Sequence, residues 1–233
     1  MNVKGIAFDL EGTLVDLEKF HHTAHLRAAE KAGLSLTLDE AIVKLPHFIG
    51  GPDSVIMEEV IALAGNSQFS AAELLKMDKE LYRKNLFNTD ISIRPGALEL
   101  IKQLVSLKFP IAIGSLTDND EAQYILEKSG LASIFSKKQI VLRDDVVNLK
   151  PAPDVFLKTA ERMGIRGEEQ LVFEDSPNGI RAARSAGSTA IGIPVYNKNE
   201  TTNALIKSGA WKVVKNWKEI KLEELLLELK NEK

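Results

Sequence analysis

The chain has 233 residues, of which 44% are hydrophobic and 27% charged, and its formal net charge is −3. This length suffices for one domain with a large insertion or for two small domains, and the slight charge provides no broad basic face for nucleic acid. The chain has no cysteine, which excludes disulfides, thiolate metal sites and cysteine nucleophiles.

No apolar run approaches the roughly 20 residues that span a bilayer. A strand pattern begins almost at once, with no signal-peptide core before it. We therefore expect a soluble, cytoplasmic protein with neither a membrane nor a nucleic acid as partner.

The first predicted element is a buried strand followed by two acids. Residues 5–8 are small or apolar, which is typical of a strand buried on both faces, and Asp9 and Glu11 follow it. Ligand sites in open α/β sheets form outside the carboxyl ends of the strands. Two acids this close repel each other unless a cation lies between them or one binds a proton. An ordinary acidic turn is the alternative interpretation.

A helical segment comes next. Helices are predicted over 16–32, from a capping box at Thr37, over 54–64, and from a second capping box at Ser70 to about Leu86. No strand pattern interrupts them. We predict that residues 17–90 form a helical cap domain, and that residues 1–16 and 91–233 form the catalytic core.

Strands and helices alternate in the rest of the chain, which predicts an α/β fold with a doubly wound parallel sheet. A buried strand at 109–114 ends at Ser115, and another at 171–173 ends at Glu174 and Asp175. Lys150 precedes a helix over 153–163. The remaining predicted elements are helices over 97–107, from 118 or 119 to 130, 177–187 and 222–230, and strands over 139–142, 190–193 and 211–214.

These polar residues, in chain order, resemble the four motifs of the haloacid dehalogenase superfamily: the acids Asp9 and Glu11, the hydroxyl of Ser115, Lys150, and the acid pair Glu174 and Asp175. The spacing is most similar to the branch of β-phosphoglucomutase and the phosphoglycolate and sugar-phosphate phosphatases. The resemblance extends over essentially the whole chain, and it implies a Rossmann-like core with a helical cap.

The resemblance implies a role for each motif residue. Asp9 is the expected nucleophile, which attacks phosphorus and becomes an aspartyl phosphate. Ser115 is expected to hydrogen-bond a phosphoryl oxygen, and Lys150 to neutralise the nucleophile and the transferring group. Taken alone, Ser115 and Lys150 would be read as a helix cap and a solvated loop residue.

A divalent cation is also expected. The implied metal ligands are Asp9, Glu11 through its backbone carbonyl, Asp175, and Glu174 directly or through water. Hard oxygen ligands with neither cysteine nor histidine favour Mg²⁺ over zinc.

Glu11 departs from the family pattern, which has aspartate as general acid and base at this position. The extra methylene moves the acid by roughly 1.5 Å, so either the pocket has adjusted or turnover is slow. Dehalogenases and phosphonoacetaldehyde hydrolases of the superfamily have no acid here. Glu11 therefore favours phosphate ester chemistry.

Four further residues are predicted to bind substrate. His21 corresponds to a histidine near the active site of β-phosphoglucomutase, although a surface histidine is the simpler interpretation. His21 and His25 share one face of a predicted helix, a spacing also found in metal sites, but the acids already account for one ion. Gly50 lies in a segment that resembles the specificity loop of the cap, and Thr117 and Asn119 follow Ser115.

Two cations that a mutase uses to hold a second phosphate are missing. The segment 49–53 has no arginine, and residues 115–119, where the mutase has a lysine shortly after its serine, include the acid Asp118 and no lysine. We therefore predict an Mg²⁺-dependent phosphomonoester hydrolase for a small phosphorylated metabolite such as a sugar phosphate. The alternatives are a hexose phosphomutase and, from a different class, a phosphate-ester binding module with little turnover.

Overall fold

The computed structural model describes residues 2–231. The chain divides into two compact units, one formed by residues 1–16 with 91–233 and the other by residues 17–90. We call them the core unit and the helical unit. Among the described residues, no helix combines the length and the apolar character needed to cross a membrane.

The core unit contains a six-stranded parallel sheet, which confirms the predicted α/β fold. Its strands are β1 (Gly5–Phe8), β2 (Ile111–Gly114), β3 (Ile140–Val141), β4 (Gln170–Glu174), β5 (Thr189–Gly192) and β6 (Lys212–Val213), in the spatial order β3-β2-β1-β4-β5-β6. Phe8 pairs with Ile113 on one side and Phe173 on the other. The carboxyl ends of β2, β1 and β4 therefore lie side by side.

The helical unit is built from α1 (Glu18–Lys31), α2 (Leu38–Lys44), α3 (Asp53–Ala64) and α4 (Ala71–Leu86). Both predicted capping boxes form: Thr37 accepts a hydrogen bond from the backbone of Glu40, and Ser70 accepts one from Glu73. The unit has its own apolar core, which includes Ala28, Leu45, Phe48, Met57, Val60 and Leu74.

The described part of the core unit also contains α5 (Ala97–Ser106), α6 (Asn119–Lys128), α7 (Asp154–Met163), α8 (Pro177–Ser185), α9 (Asn199–Lys207) and α10 (Leu222–Asn231). The sequence patterns predicted all of these helices except α9. Its first turns are polar, and Thr201 and Leu205 are its buried residues, so its apolar periodicity is weak. At α8, Ser176 caps the helix and Pro177 occupies its first turn, as predicted.

The two faces of the sheet pack differently. Ala7 and Val172 pack against residues of α7 and α8 on one face. On the other, the ring of Phe173 lies 5.5 Å from that of Phe8 and 4.9 Å from that of Trp217, between centroids. Because β1 is covered on both faces, the backbone that leads to Asp9 is held firmly in place.

The chain leaves and re-enters the core unit at one place. Val15 and Ile93 form an antiparallel bridge, and the backbone N–H of Arg94 donates to the carbonyl of Leu14 at 2.7 Å. The segments before and after the helical unit are thus joined within the core itself.

Candidate active site

Three predicted site residues follow neighbouring strands. Asp9 follows β1, Ser115 follows β2 and Asp175 follows β4. Parallel pairing continues just past the strands, since the N–H of Asp9 donates to the carbonyl of Phe173 at 3.0 Å. The fold therefore gathers residues that are far apart in sequence at one edge of the sheet.

Lys150 links two of the acids. Its Nζ donates to Asp9 Oδ1 at 2.5 Å, to Glu174 Oε1 at 2.8 Å and to the carbonyl of Gly114 at 3.3 Å. The side chains of Lys150 and Asp9 are each 9% exposed and that of Glu174 is 1% exposed. These charges are therefore close together and largely out of water, where their interactions are strong.

Burial and neighbouring charges act on this group together. Burial raises the pKa of Asp9 to about 8; Glu174 and Glu11 add to the rise, while Lys150 opposes it. Burial also disfavours the charge on Lys150, but Asp9 and Glu174 outweigh it and raise the pKa of Lys150 above its usual value. Lys150 is thus a permanent cation, and Asp9 needs further positive charge to stay fully ionised at neutral pH.

Glu174 is held from both sides. Its Oε2 accepts hydrogen bonds from Ser176, at 2.7 Å from the backbone N–H and 3.0 Å from the hydroxyl, while Oε1 faces Lys150. A Cβ at Gly179 would lie 1.6 Å from Oε1, so only glycine permits this close approach of α8. Glu174 is therefore held in place, with Oε1 directed at Lys150.

Asp175 is positioned by the loop after β1. The buried hydroxyl of Thr13 donates to Asp175 Oδ1 at 3.0 Å. Gly12, with φ of +78°, passes so close that a Cβ would lie 2.2 Å from Asp175 Oδ2. The aspartate that is predicted to bind metal is thus fixed by two residues that follow the nucleophile in sequence.

Glu11 accepts the last hydrogen bond in a short series that starts at Ser115 and passes through Thr117. The hydroxyl of Thr117 donates to Glu11 Oε1 at 2.5 Å, and Ser115 Oγ lies 2.8 Å from Thr117 Oγ1. A hydroxyl has one proton to donate, so Ser115 donates to Thr117 and Thr117 donates to Glu11. This contact places the Glu11 carboxylate beside Ser115 and Thr117.

Three contributing residues were not predicted: Thr13, Ser176 as the partner of Glu174, and Arg94. The guanidinium of Arg94 binds the carbonyls of Gly12, Ile193 and Pro194. Arg94 therefore joins the loop after β1 to the loop after β5. A sequence pattern contains no signal for such contacts with main-chain carbonyls.

Not every predicted residue joins this cluster. The exposed amide of Asn119 donates to Asp144 at 2.8 Å. His21 and Gly50 belong to the helical unit, where the His21 ring stacks on Tyr82 with centroids 3.7 Å apart. The cluster in the core unit thus consists of Asp9, Glu11, Ser115, Thr117, Lys150, Glu174 and Asp175.

The cluster suits a hard divalent cation. Its donors are carboxylate and hydroxyl oxygens, which Mg²⁺ prefers. Four carboxyl groups share the cluster with one lysine, and the raised pKa of Asp9 reflects burial and the neighbouring acids. A cation beside Asp9 and Asp175 would offset that repulsion, so the residues fit the expected metal.

Comparisons with known proteins agree on one family. A model described as haloacid dehalogenase-like hydrolase matches residues 3–187. The chain is 30% identical over 215 residues to a phosphorylated carbohydrates phosphatase of Thermotoga maritima, which covers 91% of this chain and 94% of that protein. It is 31% identical over 189 residues to a fructose-1-phosphate phosphatase of Escherichia coli, covering 81% and 95% of the two chains.

A solved structure shares the fold. The crystal structure of a putative β-phosphoglucomutase from Thermotoga maritima matches with a TM-score of 0.68 and 28% identity, covering 99% of each chain. The similarity thus extends through both the core unit and the helical unit.

Proposed function

Because this chain belongs to the haloacid dehalogenase-like hydrolases, we propose that it is an Mg²⁺-dependent phosphatase that hydrolyses small phosphomonoesters through an aspartyl-phosphate intermediate. Matches to proteins named as phosphatases support a phosphatase. The observation that carries the mechanism is the buried contact of Lys150 with Asp9 at 2.5 Å, beside the acid pair Glu174 and Asp175.

In the first step a carboxylate oxygen of Asp9 attacks phosphorus, and the bond from phosphorus to the ester oxygen breaks. The leaving oxygen takes a proton from the carboxyl group of Glu11 and departs as an alcohol. Lys150 reduces the repulsion between the Asp9 carboxylate and the phosphoryl oxygens, and Ser115 turns its hydroxyl to one of those oxygens.

In the second step water attacks the phosphorus of the aspartyl phosphate. Glu11, now a carboxylate, takes a proton from the water, and the bond from phosphorus to Asp9 breaks. Inorganic phosphate leaves, and Asp9 and Glu11 return to their starting states. Thr117, which donates to Glu11, orients its carboxylate for both proton transfers.

Asp9, Asp175 and the backbone carbonyl of Glu11 would hold the Mg²⁺ ion. Glu174 would reach it through water, since its own oxygens already accept from Lys150 and Ser176. When bound, Mg²⁺ supplies positive charge that offsets the repulsion between the nucleophile and the phosphoryl group.

The proposed substrate is a small phosphorylated metabolite, with a sugar phosphate first, because the two relatives are named for carbohydrate phosphates. Substrate contacts of His21, Gly50, Thr117 and Asn119 remain predictions within this proposal, as do the cap role of residues 17–90 and a cytoplasmic location. The solved structure named as a putative mutase keeps phosphoryl shuttling as a second candidate. Asp118 and the absence of arginine from 49–53 favour hydrolysis.

The direct test is phosphate release from a panel of phosphomonoesters, with Mg²⁺ and with excess chelator. The wild type is compared with Asp9→Asn and with Asp154→Asn, a matched control whose carboxylate binds the exposed Asn148. We expect release that needs Mg²⁺, is retained in Asp154→Asn and is lost in Asp9→Asn.

Each other outcome removes a defined part of the proposal. Release by a folded Asp9→Asn protein would exclude the covalent step, and full activity in chelator would exclude the metal. Transfer of the phosphoryl group to a sugar hydroxyl in preference to water would identify a mutase. Metal-dependent ester binding without phosphate release would identify a binding module.

A further inference from the structure

A second cluster of metal-binding groups lies in the helical unit. One ligand atom each of His21, His25 and Asp53 lies within 4.8 Å of the other two. His21 and His25 are one turn apart on α1, and Asp53 is the first residue of α3. The proposed chemistry of the core unit uses neither His25 nor Asp53.

His25 is oriented as a ligand by a buried acid. Its Nδ1 lies 2.7 Å from Asp78 Oδ1, and its Nε2 lies 3.8 Å from Asp53 Oδ1. A carboxylate accepts hydrogen bonds, so Nδ1 donates to Asp78, and Nε2 is the nitrogen that faces Asp53. Histidines that bind metals in proteins usually donate their other ring nitrogen to a carboxylate in this way.

Asp78 is an unusual residue for the interior of a small helical unit. The residue is 1% exposed, and its Oδ2 has no hydrogen-bond partner within residues 2–231. A buried carboxylate that receives one hydrogen bond from an imidazole and none at its second oxygen is poorly compensated. A cation on the far side of the His25 ring would supply the missing positive charge.

His21 is also restrained, and the site is open to solvent at Asp53. The ring of His21 stacks on Tyr82, with centroids 3.7 Å apart, which restricts its rotation. The side chain of Asp53 is 31% exposed, whereas that of His25 is 3% exposed. An ion would therefore enter from the side of Asp53 and meet an anchored imidazole.

We propose that His21, His25 and Asp53 form a zinc site, with Asp78 as the carboxylate that positions His25. Two imidazoles and one carboxylate form a donor set that suits Zn²⁺ and leaves a fourth position for water. Ligand distances of about 2.0–2.2 Å require the three atoms to approach one another by about 1 Å. Side-chain rotation of the part-exposed Asp53 and a small shift of the stacked His21 ring would provide that movement.

The site would act on the helical unit itself. Zinc would join α1 to the start of α3, and Asp78 would extend the link to α4 through His25. Binding to the folded state alone raises stability, so zinc should stabilise this unit. The role differs from the substrate contact predicted for His21, and its readouts do not depend on phosphatase activity.

The test is zinc binding to the full chain by equilibrium dialysis in excess Mg²⁺, with thermal unfolding measured in parallel. The variants are His21→Gln, His25→Gln, Asp53→Asn and Asp78→Asn. His47→Gln is the matched control, because His47 is an exposed histidine of the same unit that pairs with Glu59 at 2.6 Å. All variants keep the acids of the core unit. Any zinc bound by those acids is therefore the same in every variant, and differences in binding report the helical unit.

We expect wild type and His47→Gln to bind zinc equally and to melt roughly 5 °C higher with it. Asp78→Asn should weaken zinc binding by about 10–100-fold, and each ligand variant should weaken it further. Because Asp53 is part-exposed, Asp53→Asn should fold normally. It therefore tests the site even if a histidine variant misfolds. Zinc affinity that is unchanged in Asp53→Asn, or binding only at millimolar zinc in the wild type, would overturn the site.

Discussion

The acid cluster of the core unit and the histidine cluster of the helical unit compensate buried carboxylates in different ways. In the core unit, Lys150 lies between Asp9 and Glu174 and bonds to both. In the helical unit, Asp78 faces the ring of His25 and has no lysine or arginine partner among the ion pairs of the described residues. The buried carboxylates of the core unit are thus paired with a lysine, and that of the helical unit is paired with an imidazole.

The net charge of each cluster indicates which kind of metal ion it would bind. Four carboxyl groups still outnumber Lys150 and the neighbouring Arg94, and this excess of acids suits the hard cation and the phosphoryl transfer that we propose. In the helical unit two of the three proposed ligands are imidazoles, which suit a softer metal, and the ion itself would supply the positive charge that Asp53 and Asp78 lack. Because the two clusters share no residue, we expect substitutions in the acid cluster to leave zinc binding by the helical unit unaffected.

The largest effect is expected from Lys150→Met, which removes the fixed cation. Asp9 and Glu174 would then face each other in a buried site. Turnover should fall by about 10³-fold or more, and the free energy of unfolding by about 3–5 kcal/mol. Phosphate release and urea unfolding measure the two quantities.

Lys158→Met is the matched control, since Lys158 forms a partly exposed pair with Glu161 at 2.9 Å. It should change stability by less than about 1 kcal/mol. Zinc affinity should be unchanged in both variants. Equal stability of the two variants would contradict the view that Lys150 holds the acid cluster together.

Glu11→Gln should lower turnover by about 10²–10⁴-fold, because an amide cannot transfer the proton. Quench experiments should show the phosphoenzyme accumulating, since the water that cleaves it still needs a base. Glu11→Asp should also lower turnover, because the shorter side chain withdraws from Thr117. A faster Glu11→Asp enzyme would show that the extra methylene is a defect, and unchanged burst kinetics in Glu11→Gln would assign the proton transfer elsewhere.

Thr13→Val should weaken Mg²⁺ affinity by about 10–100-fold, as expected when a group that orients a ligand is lost. Thr13 donates to Asp175, and valine has the same shape without the hydroxyl. The measurement is phosphate release against Mg²⁺ concentration. Thr13→Ser retains the hydroxyl and should stay near wild type; an equal loss in both variants would point to packing as the cause.

Ser70→Ala tests the helical unit with the smallest expected effect. Removing this cap of α4 should lower the stability of the unit by about 1 kcal/mol. Ser106→Ala, at an exposed serine of the core unit, should change stability by less than about 0.5 kcal/mol. Circular dichroism reports all helices, whereas both tryptophans, Trp211 and Trp217, lie in the core unit. Equal shifts in the two signals would show that the units unfold together.

The site residues that directly follow buried strands could be predicted from the sequence. Apolar runs located the strands, and the residues just after them supplied Asp9, Ser115 and Asp175. Their proximity follows from parallel strand order alone. The helix α9 was missed because its first turns are polar, so its apolar periodicity is weak.

Contacts between distant side chains could not be predicted from pattern. Thr13 and Asp175 are 162 positions apart, and His25 and Asp78 are 53 apart. The carbonyl contacts of Arg94 have no signature in sequence at all. For Glu11, sequence left open whether the longer acid was misplaced; the contact with Thr117 is the observation on which we predict an adapted pocket.

The bridge between Val15 and Ile93 determines how strongly the stability of the core depends on the length of the chain between them. It closes the whole helical insertion as a single loop, and closure entropy rises only with the logarithm of loop length. Doubling such a loop costs about 0.6 kcal/mol. The closing of the core therefore depends little on the length of the segment between these residues, and we expect the sheet that positions Asp9 to keep its architecture when residues are inserted there.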